Sequence, residues 1–182
     1  MNISIEFERK FMLSHAQYEA YCSLLSLKIL PSVTLQMNYY YDNSEFVLFE
    51  RYETLRVRQK GENLTIEYKH SKRQYGDVRK SEENATAIFA FPGRIILGSI
   101  EAIMIGCLLT ERTDFLFGDI KVSLDKSVYL GIVDYELEIE TNGTDELPQF
   151  LTAITENATR STIGKYRRFV SRLKKMDTRY EI

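Results

Sequence analysis

The chain has 182 residues, 44% hydrophobic and 27% charged, with a formal net charge of -2 at pH 7. Such a chain is long enough for one domain with its own core, expected to span residues 1–182. The balanced charge excludes a general basic footprint for nucleic acid, and no apolar run approaches the ~20 residues that cross a bilayer.

The first predicted element is a strand, Ile3 to Phe11. Read with a period of two, Glu6, Glu8 and Lys10 face one way, and Ile3, Ile5, Phe7 and Phe11 the other. Ser14 caps a helix from His15 to Leu27 with an apolar face of Tyr18, Tyr21, Cys22, Leu24 and Leu25. Beyond Pro31, a strand from Val33 to Asp42 sets Gln36, Asn38, Tyr40 and Asp42 against Leu35, Met37, Tyr39 and Tyr41. Asn43 to Glu53 is expected to be a loop with a short helical turn. Gly61-Glu62 suits a tight hairpin between Thr54–Lys60, with Arg56 and Arg58 on one face, and Asn63–His70, with Thr65, Glu67 and Lys69 on one face. A weaker fifth strand spans Tyr75 to Glu83. Its run Arg79-Lys80-Ser81-Glu82-Glu83 leaves the register open between Lys80 with Glu82 and Arg79 with Glu83.

Asn84 to Ile105 lacks period-two order and is broken by Pro92-Gly93, so two short helices are expected there. Three strong strands follow, Leu108–Phe117, Ile120–Lys126 and Ile132–Thr141. Their polar faces carry Thr110, Arg112 and Asp114; Lys121, Ser123 and Asp125; and Glu136, Glu138 and Glu140. Thr144 to Asn157 reads as a helix with Pro148 in its first turn, and Gly164 to Lys175 as a last, strongly basic helix. Cys22 and Cys107 have apolar neighbours and are expected to be buried free thiols, and the two histidines share no metal spacing. The N-terminus opens into a charged strand rather than a signal peptide, which makes a cytoplasmic protein the default.

The polar faces gather the bases Lys10, Arg56, Arg58, Lys69, Arg112 and Lys121, and the acids Glu6, Glu8, Glu67, Asp125, Glu136, Glu138 and Glu140. A single charged face is ordinarily a solvated sheet surface. Here the pattern recurs on strand after strand, with like charges at i and i+2 that need a counter-charge or ligand. About eight strands, closed on themselves, enclose an interior wide enough for side chains or one small ligand. The expected fold is therefore α+β: an eight-stranded antiparallel β-barrel, a charged tunnel, with helices packed on its apolar outside. Glu-x-Glu pairs suit Mg2+ or Mn2+, and arginine forks with lysine point charges suit a ligand with several adjacent negative charges, a triphosphate better than a monophosphate.

These residues resemble the CYTH superfamily, the triphosphate tunnel metalloenzymes, which include class IV adenylate cyclases, thiamine triphosphatases, inorganic triphosphatases and fungal RNA triphosphatases. Glu6-x-Glu8-x-Lys10 matches the signature Glu-x-Glu-x-Lys. Tyr40-Tyr41-Asp42, Leu55-Arg56-Val57-Arg58, Lys69, Arg112 and Tyr135-Glu136-Leu137-Glu138 follow in order, over almost the whole chain, in the manner of small stand-alone bacterial members. The resemblance implies Mg2+ or Mn2+ held by Glu6, Glu8, Glu136 and Glu138, with Asp125 assisting a metal or orienting a base. It implies a triphosphate on Lys10, Arg56, Arg58, Lys69 and Arg112, to which the polar-face reading adds Lys121. Lys165, in Gly164-Lys165-Tyr166, resembles a C-terminal lysine that closes the site; a solvated basic helix is the alternative. Lys69 and Tyr40 match a Lys–Tyr pair that aids the leaving group in thiamine triphosphatase members. The implied activity is metal-dependent hydrolysis of a small-molecule triphosphate. An adenylate cyclase and a non-catalytic polyphosphate or nucleotide binder are the alternatives. No nucleic acid or membrane partner is expected, and assembly is left open between monomer and homodimer.

Overall fold

The structure is a computed structural model that describes residues 2–75, 78–143 and 146–176. Its elements run β1 (Asn2–Leu13), α1 (His15–Ser26), β2 (Ser32–Asp42), α2 (Val47–Glu50), β3 (Glu53–Lys60), β4 (Asn63–Tyr75) and β5 (Val78–Ile88). They continue with β6 (Arg94–Leu97), β7 (Ile100–Phe117), β8 (Ile120–Tyr129), β9 (Ile132–Thr141), α3 (Gln149–Glu156), β10 (Thr159–Arg160) and α4 (Lys165–Met176). Eight strands form a closed antiparallel barrel in the order β1-β5-β4-β3-β2-β7-β8-β9, and β9 pairs back onto β1. The two short strands are additions: β6 pairs with β7 and β10 with β1. Among the described residues no helix is long and apolar enough to cross a membrane.

Local chemistry explains most of these boundaries. Ser14 and Gln17 form a capping box that starts α1, the side chain of each accepting from the other's backbone N–H. Lys60 pairs with Asn63 across Gly61-Glu62, and Gly61 takes the positive φ of 57° that the turn needs. Pro148 stands at the N-cap of α3, which starts at Gln149 rather than at Thr144. Thr144 and Asp145 lie outside the described residues.

The expected helices over Asn84–Ile105 are not formed. β5 runs on to Ile88, and β6 and the start of β7 make a hairpin across Gly98-Ser99. The physical reason is a β-bulge. Tyr40 pairs with Gly106 but Tyr41 pairs with Met104, so Ile105 is an extra residue. Before it, even-numbered Ile100 and Ala102 pack on the outside of the barrel. After it, even-numbered Thr110 and Arg112 line the inside. A parity that reverses within one strand hides the alternation.

Three apolar clusters hold the barrel. Phe115, Val122, Leu124, Leu137 and Ile139 pack outside under Tyr18 and Leu25 of α1 and Leu151 and Ile154 of α3. Tyr41, Leu55 and Val57 pack outside against Leu48, Ile100 and Ala102. The third cluster closes one end of the interior: Tyr40, Leu108 and Tyr129 meet Phe49 and Tyr166, Phe169 and Val170 of α4. Gly106 makes room for this closure, since a Cβ there would stand 2.6 Å from Phe169 Cζ on a backbone with φ +148°. Both cysteines are free, but Cys107 is exposed and Cys22 half-buried, not buried as expected. Cys107 pairs with Tyr39 on the outward side of the sheet beside the bulge.

Candidate active site

Closure of the barrel turns the charged faces toward one shared interior. Cross-strand register places opposite charges side by side: Lys10 against Glu138, Arg56 against Glu67, Arg112 against Asp125 and Lys121 against Glu140. Of the residues singled out in the sequence, Glu6, Glu8, Lys10, Arg56, Arg58, Lys69, Arg112, Lys121, Glu138 and Lys165 line a single cavity of about 150 Å3. Among the described residues ten bases and seven acids line it, and Glu67, Asp125 and Glu136 pair with those bases from just behind the lining.

The bases are held by carboxylates. Lys69 Nζ bonds Glu6 and lies 3.5 Å from Glu8; Lys10 Nζ lies 2.9 Å from both Glu8 and Glu138. Arg56 donates to Glu67 at 2.7 Å and lies 3.7 Å from Glu83, while Arg58 donates to Asn38 at 3.2 Å and lies 3.3 Å from Glu67. Arg112 grips Asp125 with two bonds, 2.7 and 2.6 Å, and reaches Glu138 at 2.6 Å. Lys121 lies 3.3 Å from Glu140 and is the most exposed of these bases.

Burial opposes the charged forms of Glu8, Lys10 and Glu138, and there the partners overturn it. Burial raises Glu8, but Lys10 and Lys69 more than reverse this and hold its carboxyl at about 2. Burial lowers Lys10, yet Glu138 and Glu8 leave it raised. Glu138 is held well below its ordinary value against burial by Lys10, Lys165 and Arg112. At Glu83 and Glu140 burial wins, and both are raised.

At the closed end, Lys165 Nζ sits 2.7 Å from Asp125, 2.8 Å from Glu136 and 2.6 Å from Glu138. Lys165 is a buried ion-pair partner, not part of a solvated basic face. Asp125 and Glu136 meet Lys165 there and do not line the open cavity. Arg168, one helical turn on, also reaches Glu136 at 2.7 Å. Its role was missed, although the i, i+3 spacing from Lys165 was visible. Tyr40 and Lys69 are not brought into contact. Tyr40 is fully buried against Tyr166 and Phe169, its hydroxyl has no hydrogen-bond partner, and burial raises its pKa.

The open register of β5 resolves to Arg79 and Glu83. Both line the cavity with Ser81 buried between them, whereas Lys80 lies 5.4 Å over the Phe7 ring and Glu82 sits 3.7 Å from His70. The start of α4 is pinned by Tyr166, which donates to Asp42 at 2.5 Å. Asp42 in turn accepts from the backbone N–H groups of Leu48 and Phe49, each at 3.0 Å.

Comparison with known proteins agrees with this geometry. The CYTH domain model matches residues 4–170. YjbK of Bacillus subtilis strain 168, named as a candidate triphosphatase, is 28% identical over 155 residues, covering 77% of this chain and 79% of YjbK. A crystal structure of a candidate adenylate cyclase from Bacillus halodurans is 25% identical, with a TM-score of 0.71, covering 93% of this chain and 99% of that one. HpAC1 from Hippeastrum, described as revealing a dominant triphosphatase activity, shares the fold at 20% identity and a TM-score of 0.74, covering 91% and 95%. The cavity lies wholly within the matched span, and the chain belongs to the CYTH domain family.

Proposed function

We propose that the chain is a divalent-metal-dependent hydrolase of triphosphates, acting as a single domain with its substrate inside the barrel. The observation that carries this reading is the gathering of ten bases from separate strands and α4 around one cavity, where they can exchange a carboxylate for an anion. Arginine forks and lysine ammoniums spread over several strands favour a ligand with several adjacent charges over a monophosphate. The name of YjbK supports the same class of substrate.

The residues fit a hard divalent cation. Among the described residues no group of three or more His, Cys, Asp or Glu side chains is set to hold a metal, because bases sit between the carboxylates. Those ammonium groups mark where carboxylates converge: Lys69 touches Glu6 and Glu8, and Lys165 touches Asp125, Glu136 and Glu138. Glu8 Oε1 and Glu136 Oε1 are buried without a partner, each a spare donor. An all-oxygen donor set suits Mg2+ or Mn2+. Glu6, Glu8 and Glu138 would hold one ion, with Asp125 and Glu136 serving the closed end. When bound, the ion supplies Lewis-acid charge stabilisation and a more acidic water.

The chain's own groups do the rest. Lys10, Arg56, Arg58, Arg112 and Lys121 turn from their carboxylates to phosphate oxygens and orient the triphosphate. Glu8, ionised down to a pH of about 2, stays available to a cation. Lys69 faces the cavity and neutralises charge on the leaving diphosphate. Tyr40 stands opposite Arg56 in register and packs on Tyr166 and Phe169, so it serves the wall behind Arg56 and not as a partner of Lys69. Incubation with tripolyphosphate or ATP, each with Mg2+ or Mn2+, is expected to release phosphate. No release from any combination would sink hydrolysis. Cyclic AMP from ATP would replace it with a cyclase, and tight binding without turnover would reduce it to a binder.

A further inference from the structure

Tyr52 departs from the ionic lining of the cavity. Among the described lining residues the aromatics are Tyr166, which is buried, and Tyr52, which is 61% exposed. Tyr52 takes part in none of the apolar clusters that hold the fold. Its backbone has φ +60°, a conformation that a bulky L-residue adopts only at a cost. The surroundings hold it there. The short helix α2 lies between two left-handed residues, Phe46 and Tyr52, and is anchored by the Asp42 carboxylate on its N–H groups. The Arg167 guanidinium lies 3.9 Å from the Tyr52 ring centroid and 4.1 Å from that of Phe49. One face of the Tyr52 ring is thus backed by a cation, and most of the ring stays open beside an anion-binding cavity.

We propose that Tyr52 is the platform on which the planar heteroaromatic group of an organic triphosphate stacks while its phosphates occupy the basic part of the cavity. This inference rests on the reading of the cavity as a triphosphate site. Inorganic tripolyphosphate gains nothing from an open aromatic face, whereas every flat heterocycle has a π-face to offer it. Tyr52 precedes Arg56 by four residues, at most about 13 Å along the chain because Tyr52 itself is left-handed, a span that a sugar or linker can bridge between ring and phosphates. Thr54, also on the lining, supplies a hydroxyl for the polar edge of the ring system. A purine nucleotide and an aminopyrimidine such as that of thiamine triphosphate share this chemistry.

Calorimetric binding of ATP, thiamine triphosphate and tripolyphosphate in EDTA, where no turnover occurs, tests the assignment. Tyr52→Ala is expected to lower the affinity for at least one organic ligand, relative to tripolyphosphate, by roughly tenfold, and Tyr52→Phe to restore the ratio. The ligand whose ratio falls identifies the source of the ring. A role confined to holding Arg167 and α4 would weaken all three ligands together and leave the ratios unmoved. Tyr52→Leu keeps apolar bulk without a flat face and replaces the alanine variant should that one unfold. Ratios within about twofold of wild type in these variants, a margin of about 0.4 kcal/mol, overturn the platform and leave the triphosphate reading standing. Failure of the wild-type protein to bind any of the three, in EDTA and again with Mg2+, removes both.

Discussion

Lys165→Met takes one ammonium away from the meeting point of three carboxylates. In the native chain Nζ lies 2.7 Å from Asp125, 2.8 Å from Glu136 and 2.6 Å from Glu138. Asp125 and Glu136 are 0% and 1% exposed, so water cannot take the place of the lost cation. Removing one member of a buried pair costs about 3–5 kcal/mol. Here Asp125 keeps both Arg112 bonds, Glu138 keeps Lys10 and Arg112, and Glu136 keeps Arg168. The remaining cations place the loss at the lower bound, about 3 kcal/mol. At this chain length that corresponds to a fall in Tm of roughly 6–12 °C. Methionine preserves the apolar stem, so the change isolates charge. Thermal and urea unfolding followed by circular dichroism in EDTA would measure it. Lys121→Met is the control, because its ammonium is 32% exposed and 3.3 Å from Glu140; it should cost less than about 1 kcal/mol. Equal losses for the two variants, or less than about 1 kcal/mol for Lys165→Met, would refute the reasoning.

Three further outcomes follow from the same geometry. Glu8 has a folded pKa of about 2, below its ordinary 4.5, so its stabilisation is complete above the higher value and is lost as pH falls through the lower one. The urea midpoints of metal-free wild type and Glu8→Gln should therefore converge over that window, closing a gap of about 3 kcal/mol; parallel curves would contradict the assignment. Gly106→Ala drives a Cβ to 2.6 Å from Phe169 on a backbone at φ +148°, and should cost about 1–3 kcal/mol or more in urea unfolding; a neutral result would mean that α4 does not close the barrel as described. Arg58→Ala should raise the KM for tripolyphosphate roughly tenfold or more, the loss of hydrogen bonds to a charged ligand. An unchanged KM would take Arg58 off the phosphate path.

Much of the site was legible because strand side chains alternate by covalent geometry alone. Glu6, Glu8 and Lys10, and likewise Glu136, Glu138 and Glu140, share a face wherever their strands pair. What escaped had specific causes. The bulge at Ile105 reversed the parity of β7 and disguised a hairpin as helix. Arg79 to Glu83 is polar on both faces, so alternation could not choose between its two registers. Tyr40 shares a face with Gln36 and Asn38, yet its ring is claimed by Phe169 and Tyr166, residues more than a hundred positions away.

The order of residues alone determined which strands form and which side chains share a face, and the repeated charged faces together with the resemblance to the CYTH family pointed to a closed barrel with those charges inside. Only the tertiary structure decided which acid neutralises which base, that α4 brings Lys165 into the carboxylates of β8 and β9, and that Tyr52 remains open beside Arg167. Those choices depend on Coulomb and packing terms between groups far apart along the chain, and such terms have no value until closure sets the distances.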